Sequence, residues 1–203
     1  NETLLENFKL KVTNILSWYN KDDRYSRQIL NGDLEGLRSF YMDKGYLDFK
    51  VNSSIIRISE SKKHVYIDIS VEEGNKYTFA ESKLSGKYEN VPEPLLQAQI
   101  GTHQGNVFSR SEVTATTARL NQILGDYGYA FSNANAIPNV DKKERTVAFN
   151  YFIDPGKKIY VRRINFFGNE KTKDSVIRRQ MRQFESSWYS KAKVDRSKAR
   201  LSQ

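Results

Sequence analysis

The stretch Asp-Ile-Ser-Val-Glu-Glu-Gly-Asn-Lys-Tyr at residues 68–77 decides the fold, because a close version of it returns as Phe-Ile-Asp-Pro-Gly-Lys-Lys-Ile-Tyr at residues 152–160. Three pairs of glycines are separated by the same number of residues, to within one position: Gly74 and Gly156, Gly86 and Gly168, and Gly45 and Gly128. Such a period is longer than the roughly 20–50 residues of solenoid repeats, so each copy should be a small domain with its own core.

The composition is that of a folded chain without thiol chemistry. Hydrophobic residues make up 38% and aromatic residues 12% of the 203 residues, which is enough for compact cores. The absence of cysteine excludes disulfides, thiolate metal sites and cysteine nucleophiles, and leaves the compartment open. No apolar run long enough for a membrane span and no secretory leader is recognised, so we expect the chain itself to be soluble.

The net charge of +9 raises the question of nucleic acid, anionic lipid or acidic protein partners. Most basic residues alternate with acidic ones, as on a solvated surface. The exception is the segment 157–182, where lysine and arginine concentrate. This segment is either an ordinary solvated face or a surface for lipid headgroups or an acidic protein.

The second copy predicts one strand and two helices in its first half. A strand from Tyr77 to Leu84 should stop at Gly86. Pro92 should start a short helix that carries Leu95, Leu96 and Ile100 and ends at Gly101. Ser109 and Glu112 have the spacing of a capping box at the start of the second helix.

An apolar stripe identifies this second helix in both copies. Its members in the second copy are Val113, Thr117, Leu120 and Leu124, and the matching positions of the first copy hold Leu30, Leu34, Leu37 and Tyr41. Spacings of three and four place each set on one face of a helix. Both helices run into Gly45 or Gly128, which can adopt the left-handed conformation that ends a helix.

A hairpin should follow each helix. In the first copy Phe49 and Val51 point to one face and Ile56 and Ile58 change parity, which predicts a β-bulge, and 65–71 is the returning strand. In the second copy the outgoing strand runs from Tyr129 to Pro138. It turns at 141–143, and its return carries the alternating apolar residues Val147, Phe149, Tyr151 and Ile153.

The unit is therefore strand, helix, helix, strand, strand. We expect an α+β fold of tandem βααββ domains, each with a three-stranded mixed sheet packed on two antiparallel helices. The predicted domains are 1–74, lacking its first strand and opening with a helix at 3–10, then 75–156, complete, and 157–203, ending inside its second helix.

Few residues suggest chemistry. His64 at a hairpin turn and His103 in a polar loop are isolated, so we expect solvated side chains and no metal. Gly125–Gly128 ends a helix and leads into a strand, the reverse of a nucleotide-binding glycine loop. No catalytic residue, metal or cofactor is predicted, and the chain is not expected to be an enzyme. Trp18-Tyr19 and Trp188-Tyr189 are either hydrophobic plugs beneath the helices or exposed partner anchors.

The pattern resembles the polypeptide-transport-associated (POTRA) domain. The resemblance rests on the paired turns at 72–74 and 154–156 and on Tyr160–Asn169. Further stretches are similar to the third, fourth and fifth POTRA domains of outer-membrane-protein assembly factors of Gram-negative bacteria: Gly32–Tyr41, Gly125–Ala130 and Lys173–Gln183.

The resemblance implies a periplasmic scaffold, tethered to the outer membrane by a β-barrel that this chain does not include. Implied partners are unfolded outer-membrane proteins and accessory assembly lipoproteins, with no cofactor and no nucleic acid. The implied edge for clients is Phe49, Val51, Asn52, Ser53, Ser54, Ile55, Ile56, Arg57 and Ile58. The implied lipoprotein-docking residues of the fifth domain are Asp174, Arg178, Arg179, Gln180 and Arg182. The family commonly has an acidic residue at the position of Gln180.

Two alternatives to this assembly scaffold stay open. A related scaffold of the same superfamily would serve adhesin secretion or plastid import. A basic nucleic-acid-binding array would instead show affinity that falls steeply with salt.

Overall fold

The structure repeats its elements as the sequence repeats its residues. The computed structural model describes residues 27–61, 64–88 and 90–202. In chain order the elements are α1 (Arg27–Asp43), β1 (Lys50–Ile58), β2 (Val65–Glu72), β3 (Thr78–Phe79), β4 (Lys83–Gly86), α2 (Glu93–Gln97), α3 (Arg110–Asp126), β5 (Asn133–Asp141), β6 (Thr146–Asp154), β7 (Tyr160–Val161), α4 (Asp174–Gln180), β8 (Ser187–Trp188) and α5 (Lys191–Leu201). Helix α3 follows α1 at the same interval as β5 follows β1, and the interval is the same at both ends of each element.

The two long helices stop for the same reason. Gly45 and Gly128 follow α1 and α3, and both have φ of 101°. That conformation is strained for residues with a Cβ, so the glycines end the helices and turn the chain into the hairpins. The predicted helix stops are confirmed.

The first hairpin contains the predicted bulge. Strands β1 and β2 pair antiparallel, and their register shifts between Val51 and Ser53. Asn52 is the extra residue, which explains why the apolar positions of β1 change parity along the strand.

The second copy holds a mixed sheet with β6 in the middle. Strand β6 pairs in parallel with β3 and then with β4, and β5 pairs with β6 as the other half of the hairpin. The predicted alternation of β6 is confirmed, because Val147, Phe149, Tyr151 and Ile153 are all buried. Together with α2 and α3, these strands form the expected α+β unit.

One predicted strand is divided. The prediction of a continuous strand from Tyr77 to Leu84 was wrong, because residues 80–82 separate β3 from β4. Phe79 ends β3 opposite Val147 and Lys83 begins β4 opposite Asn150, so the register along β6 shifts by one residue across the gap. On its other side Phe79 bonds to a loop: its N–H donates to the Asn106 carbonyl, and Gly105 N–H donates to its carbonyl.

Two element boundaries also differ from the predictions. Helix α2 ends at Gln97, so Ile100 and Gly101 lie beyond it. Strand β5 begins at Asn133 rather than Tyr129. Tyr129 is buried, whereas Phe131 is 80% exposed, so these residues form the turn that leads into β5.

Trp188 is not a plug. It lies in β8, paired antiparallel with Tyr160 of β7, and its side chain is 53% exposed. Its ring meets the Tyr160 ring edge-on, and the Lys158 ammonium lies 4.9 Å from its centroid. The predictions for Trp18-Tyr19 and for a helix at 3–10 lie outside the described residues.

By contacts within the chain, two compact units can be separated. One combines the chain up to Phe79 with Gly105–Ser111 and Asp141–Val147, and the other holds the remainder. The division passes through the second copy of the repeat. The domain boundaries expected from the sequence stay a prediction. Within the described ranges, no helix has both the length and the apolar character needed to cross a membrane.

Candidate functional site

Strand β1 is an open sheet edge. In the part of the chain that the structure describes, β1 pairs with β2 alone. Its repeat counterpart β5 likewise borders β6, and β6 has β3 and β4 as further partners. The free side of β2 therefore corresponds to the side that β3 and β4 occupy in the second copy. Strand β1 corresponds to the outermost strand.

The hairpin register decides which main-chain groups of β1 face outward. The Ser59 N–H donates to the His64 carbonyl at 2.9 Å, so this opposed pair is hydrogen-bonded. Because the direction of N–H and C=O alternates along an antiparallel strand, Ser53, Ile55 and Arg57 bond to β2. Ser54, Ile56 and Ile58 then direct their N–H and C=O groups away from β2. These three residues are called the outward row.

A groove runs beside this edge. It lies between α1 and the first half of β1 and has a volume of about 810 Å³. Its wall is formed by Asn31, Leu34, Glu35 and Arg38 of α1 and by Lys50, Val51, Asn52, Ser53 and Ser54 of β1. The helix side of the groove has apolar and charged residues, and the strand side has mostly polar ones.

The side chains of β1 beyond the groove are exposed and apolar. Ile55 is 55% and Ile58 is 66% exposed, and Ile56 is exposed as well. Exposed aliphatic side chains in a row offer contacts to apolar residues of an added strand. Arg57 forms a 2.5 Å ion pair with Asp68 of β2, and since both side chains are exposed the pair contributes at most about 1 kcal/mol.

Phe49 does not belong to the edge. It precedes β1, is only 2% exposed, and stacks on Tyr41 with ring centroids 4.3 Å apart. It belongs to the core. The other residues expected at the edge, from Val51 to Ile58, are all on β1.

The helix side of the groove was missed by sequence reasoning. Leu34 was recognised only as a member of the apolar stripe, and Arg38 was not singled out. A usable signal was present. Residues beside a helical stripe residue that packs on the outer strand of a hairpin must face the edge of that strand.

The residues expected to dock a lipoprotein form two groups. In the first, the Arg178 guanidinium donates to Asp174 at 2.5 Å, to Glu185 at 3.0 Å and to the Ile164 carbonyl at 3.1 Å. Its carbon Cζ also lies 5.2 Å from the centroid of the Phe166 ring. Arg178 thus ties α4 to the segments on either side of it.

Glu185 is the acidic end of this group. The Ile164 N–H donates to its carboxylate at 2.8 Å. This main-chain bond, followed by the Arg178 hydrogen bond, lowers the pKa of Glu185 below its ordinary value.

The second group is centred on Gln180. Its amide oxygen accepts two hydrogen bonds from the Arg200 guanidinium, at 2.8 and 3.1 Å. Arg182 lies beyond α4 and is half-buried, with its N–H donated to the Ser197 hydroxyl. Arg179 is exposed. The structure therefore assigns Arg178 and Gln180 contacts within the chain.

Both histidines lie in loops. His64 and His103 are exposed, in agreement with their expected positions in loops. Among the residues the structure describes, no group of three or more His, Cys, Asp or Glu side chains is arranged to hold a metal ion.

The sequence and fold both match known proteins. The POTRA family model, described as a surface antigen variable number repeat, matches residues 2–74, 77–156 and 159–203. The chain is 32% identical to the outer membrane protein assembly factor BamA of Neisseria meningitidis over 198 residues, which is 98% of this chain and 25% of that protein. It is 33% identical to BamA of Buchnera aphidicola over 202 residues, 98% of this chain and 32% of that protein. It thus spans a quarter to a third of these relatives.

Solved structures agree with this match. A crystal structure of POTRA domains 3–5 of Haemophilus influenzae BamA superposes with a TM-score of 0.78 at 26% identity, covering 100% of this chain and 79% of that chain. BamA of Haemophilus ducreyi lacking POTRA domains 1–3 superposes with a TM-score of 0.56 at 35% identity, covering 62% of this chain and 24% of that chain. By its repeats, its fold and these matches, the chain belongs to the POTRA family.

Proposed function

We propose that this chain is part of a periplasmic scaffold for outer-membrane protein assembly, and that it binds extended client segments by strand addition at β1. The observation that carries the proposal is the outward row of Ser54, Ile56 and Ile58, which stands beside an open groove. The relatives named as assembly factors supply the class of client.

The backbone geometry favours an extended client. Each residue of the outward row presents one N–H and one C=O, so a strand laid along β1 can form up to about six main-chain hydrogen bonds. Each contributes about 1 kcal/mol net, while association costs an estimated 4–15 kcal/mol. Binding should therefore be weak and transient, which suits a scaffold that must release its clients.

The side chains around the groove favour amphipathic clients. Strands of outer-membrane barrels alternate apolar and polar residues. In an added strand, one row of side chains would contact Leu34 and Val51, and the opposite row would face water. Main-chain hydrogen bonding depends on an extended backbone and not on the client's sequence, so many clients can bind to the same edge.

The remaining proposals concern partners of the fifth domain. We expect accessory lipoproteins to contact the α4 surface, where Arg179 is exposed. The internal contacts of Arg178 and Gln180 make these two residues supports of that surface. Anionic lipid headgroups are further candidates for the basic segment 157–182.

Proline substitutions at adjacent β1 positions test the client edge. Ser54→Pro removes an outward N–H and leaves the bonds between β1 and β2 in place, whereas Ile55→Pro removes a donor to β2. Ser54→Ala is the matched control, since it keeps the N–H. In photocrosslinking between the β1 edge and unfolded barrel proteins, Ser54→Pro should lose the crosslinks and Ser54→Ala should keep them.

The hairpin must be shown to persist in the tested variant. Amide exchange of β2 residues reports this directly, because they bond to β1 rather than to the client. Undiminished crosslinking in a Ser54→Pro variant with an intact hairpin would contradict strand addition at β1.

A further inference from the structure

The second copy of the repeat has the same outer strand as the first, and its edge is closed. Strand β5 stands where β1 stands, one repeat later, beside helix α3. Equivalent backbone positions should have equivalent binding capacity unless side chains change them. Two residues of the second copy do so.

The first is Asn121. Its amide oxygen accepts a hydrogen bond from the Ala134 N–H at 3.0 Å, so this strand amide is bonded to α3 and not to β6. Ala134 is 5% exposed. The equivalent residues of the first copy are Arg38 and Val51, which line the open groove. Asn121 thus bonds helix to strand in the second copy, at the positions that line the groove in the first.

The second residue is Pro138. It lies inside β5, an even number of positions after Ala134. Ala134 is buried and Ala136 half-buried, with exposed residues on either side, so β5 alternates regularly here and lacks the bulge of β1. The Pro138 nitrogen is therefore on the same side of the strand as the Ala134 N–H. A proline within a paired strand is tolerated when its nitrogen faces the unpaired side, which supports the same orientation. The outer side of β5 therefore lacks a donor at Pro138 and has its donor at Ala134 occupied.

The consequence for an added strand is the loss of two outward donors that lie close together. Strand addition needs an uninterrupted row, because a partner carbonyl that finds no donor stays desolvated without compensation. Proline on an edge strand is also a common protection against unwanted pairing.

We infer that the chain has one client edge and not two: β1 accepts an extended strand, and Asn121 and Pro138 exclude one from β5. This rests on the proposed function. Clients would bind to the first copy and not to the second, although the two copies share their fold and their spacing of elements.

The experiment measures amide hydrogen exchange by NMR on the whole 203-residue chain. The probe is a peptide of about ten residues, the length of a barrel strand, that alternates Val and Thr and carries Lys at both ends. At a peptide concentration about ten times Kd, exchange of amides covered by the peptide should slow about tenfold. In the unmodified chain, slowing should appear at Ser54, Ile56 and Ile58 and not at Ala136 or Val140 of β5.

Two variants test the inference in opposite ways: one should open the β5 edge to the peptide, and the other should close the β1 edge. Asn121→Ala combined with Pro138→Thr should open β5, so that exchange slows at Ala136 and Val140 and about two peptides bind per chain. Ser54→Pro should close β1 and leave β5 unprotected. The single variants Asn121→Ala and Pro138→Thr show whether one residue suffices.

The outcomes separate the two proposals. Protection of β5 in the unmodified chain, together with β1, would overturn the closed edge and leave strand addition at β1 standing. No protection of β1 would overturn the proposed function and with it this inference. Protection of β1 alone, with no gain at β5 in a double variant that keeps its β6 amides protected, would overturn the roles of Asn121 and Pro138.

Discussion

The carboxylate of Asp126 accepts a hydrogen bond from the main-chain N–H of Ala192 at 2.7 Å. The donor belongs to the first turn of α5, and Asp126 is the last residue of α3. The same relationship holds one repeat earlier, where Asp43 at the end of α1 accepts from Ser111 N–H at 2.7 Å in the first turn of α3. Each aspartate also accepts from the hydroxyl that precedes the helix, Ser190 or Ser109.

The second helices of successive copies, α1, α3 and α5, are therefore linked by the same type of cap. The N–H groups of a helix's first turn lack partners within the helix, and a carboxylate there is favoured by the helix dipole. An aspartate supplied by the preceding copy meets both needs. Because of this cap, the start of α3 depends on the end of α1, and the start of α5 depends on the end of α3.

Removal of either cap should destabilise the chain. Asp43→Ala and Asp126→Ala should each lower the free energy of unfolding by about 0.5–2 kcal/mol, the usual effect of losing a capping side chain. Asp43→Asn should retain part of the effect, because the amide oxygen still accepts. Denaturant unfolding measures the change.

The exposed residue Glu81 provides the control for these cap variants. Glu81→Ala removes a carboxylate outside any helix and should change stability by no more than about 0.5 kcal/mol. If Asp43→Ala and Asp126→Ala behave like Glu81→Ala, the caps contribute nothing.

Gly86 should be intolerant of a side chain. It ends β4 with φ of 100°, and a Cβ there would overlap the main chain of Ile153 on β6. Gly86→Ala should lower the free energy of unfolding by more than the roughly 1–3 kcal/mol of backbone strain alone. Thermal and denaturant unfolding report the loss.

Gly32 is the control for Gly86, because a side chain should be tolerated at this position. It lies in α1 with no neighbouring atom within 4 Å of a built Cβ. Gly32→Ala should stabilise the chain by about 0.5–1 kcal/mol, because alanine loses less conformational freedom in a helix. A destabilised Gly32→Ala or an unaffected Gly86→Ala would contradict the backbone conformations described above.

Glu185 should make stability depend on acid pH. Its pKa is lowered from the ordinary value of 4.5 by the Ile164 N–H and by Arg178. A lowered pKa in the folded state means that the contribution to stability is present above pH 4.5 and is lost as the pH falls through the lowered pKa. Unfolding followed from pH 7 downward should show this loss.

The variant Glu185→Gln should flatten this part of the pH profile, since it has no proton to take up. Glu81→Gln, which removes an exposed carboxylate, is the matched control. Equal profiles for the parent chain and Glu185→Gln would show that Glu185 is not held in this arrangement.

Gln180→Glu should strengthen the contact with Arg200. The amide oxygen already accepts both guanidinium hydrogen bonds, and a carboxylate would add charge attraction. Because the arginine is exposed, the gain should be about 0.2–1 kcal/mol and should shrink at high salt. A gain that is independent of salt, or its persistence with Arg200→Ala, would argue against this pairing.

Local sequence patterns predicted the elements that depend on local forces. The alternation at Val147, Phe149, Tyr151 and Ile153 described β6 correctly, because a strand with one buried face must alternate. Gly45 was recognised as a helix stop because its conformation is a property of the single residue. The bulge at Asn52 followed from a change of parity that no regular strand could produce.

Elements whose form depends on distant partners were predicted less well. The strand expected from Tyr77 to Leu84 divides where its register with β6 shifts by one residue, and β6 lies far away in the chain. The sequence left Trp188 open between a hydrophobic plug and an exposed anchor, because aromatic residues serve in cores and on surfaces alike. Its pairing with Tyr160 joins two separate segments of the chain and is visible only in the tertiary structure.

The sequence by itself determined the repeat, the α+β units and the family, because spacing and periodicity are carried by the residues in order. Only the tertiary structure decided which of two equivalent strands is open. That difference depends on the register of the hairpin at Ser59 and His64, which turns Ser54 outward, and on the bond from Ala134 to Asn121. Both are hydrogen bonds between separate segments, and their directions exist only once the chain has folded.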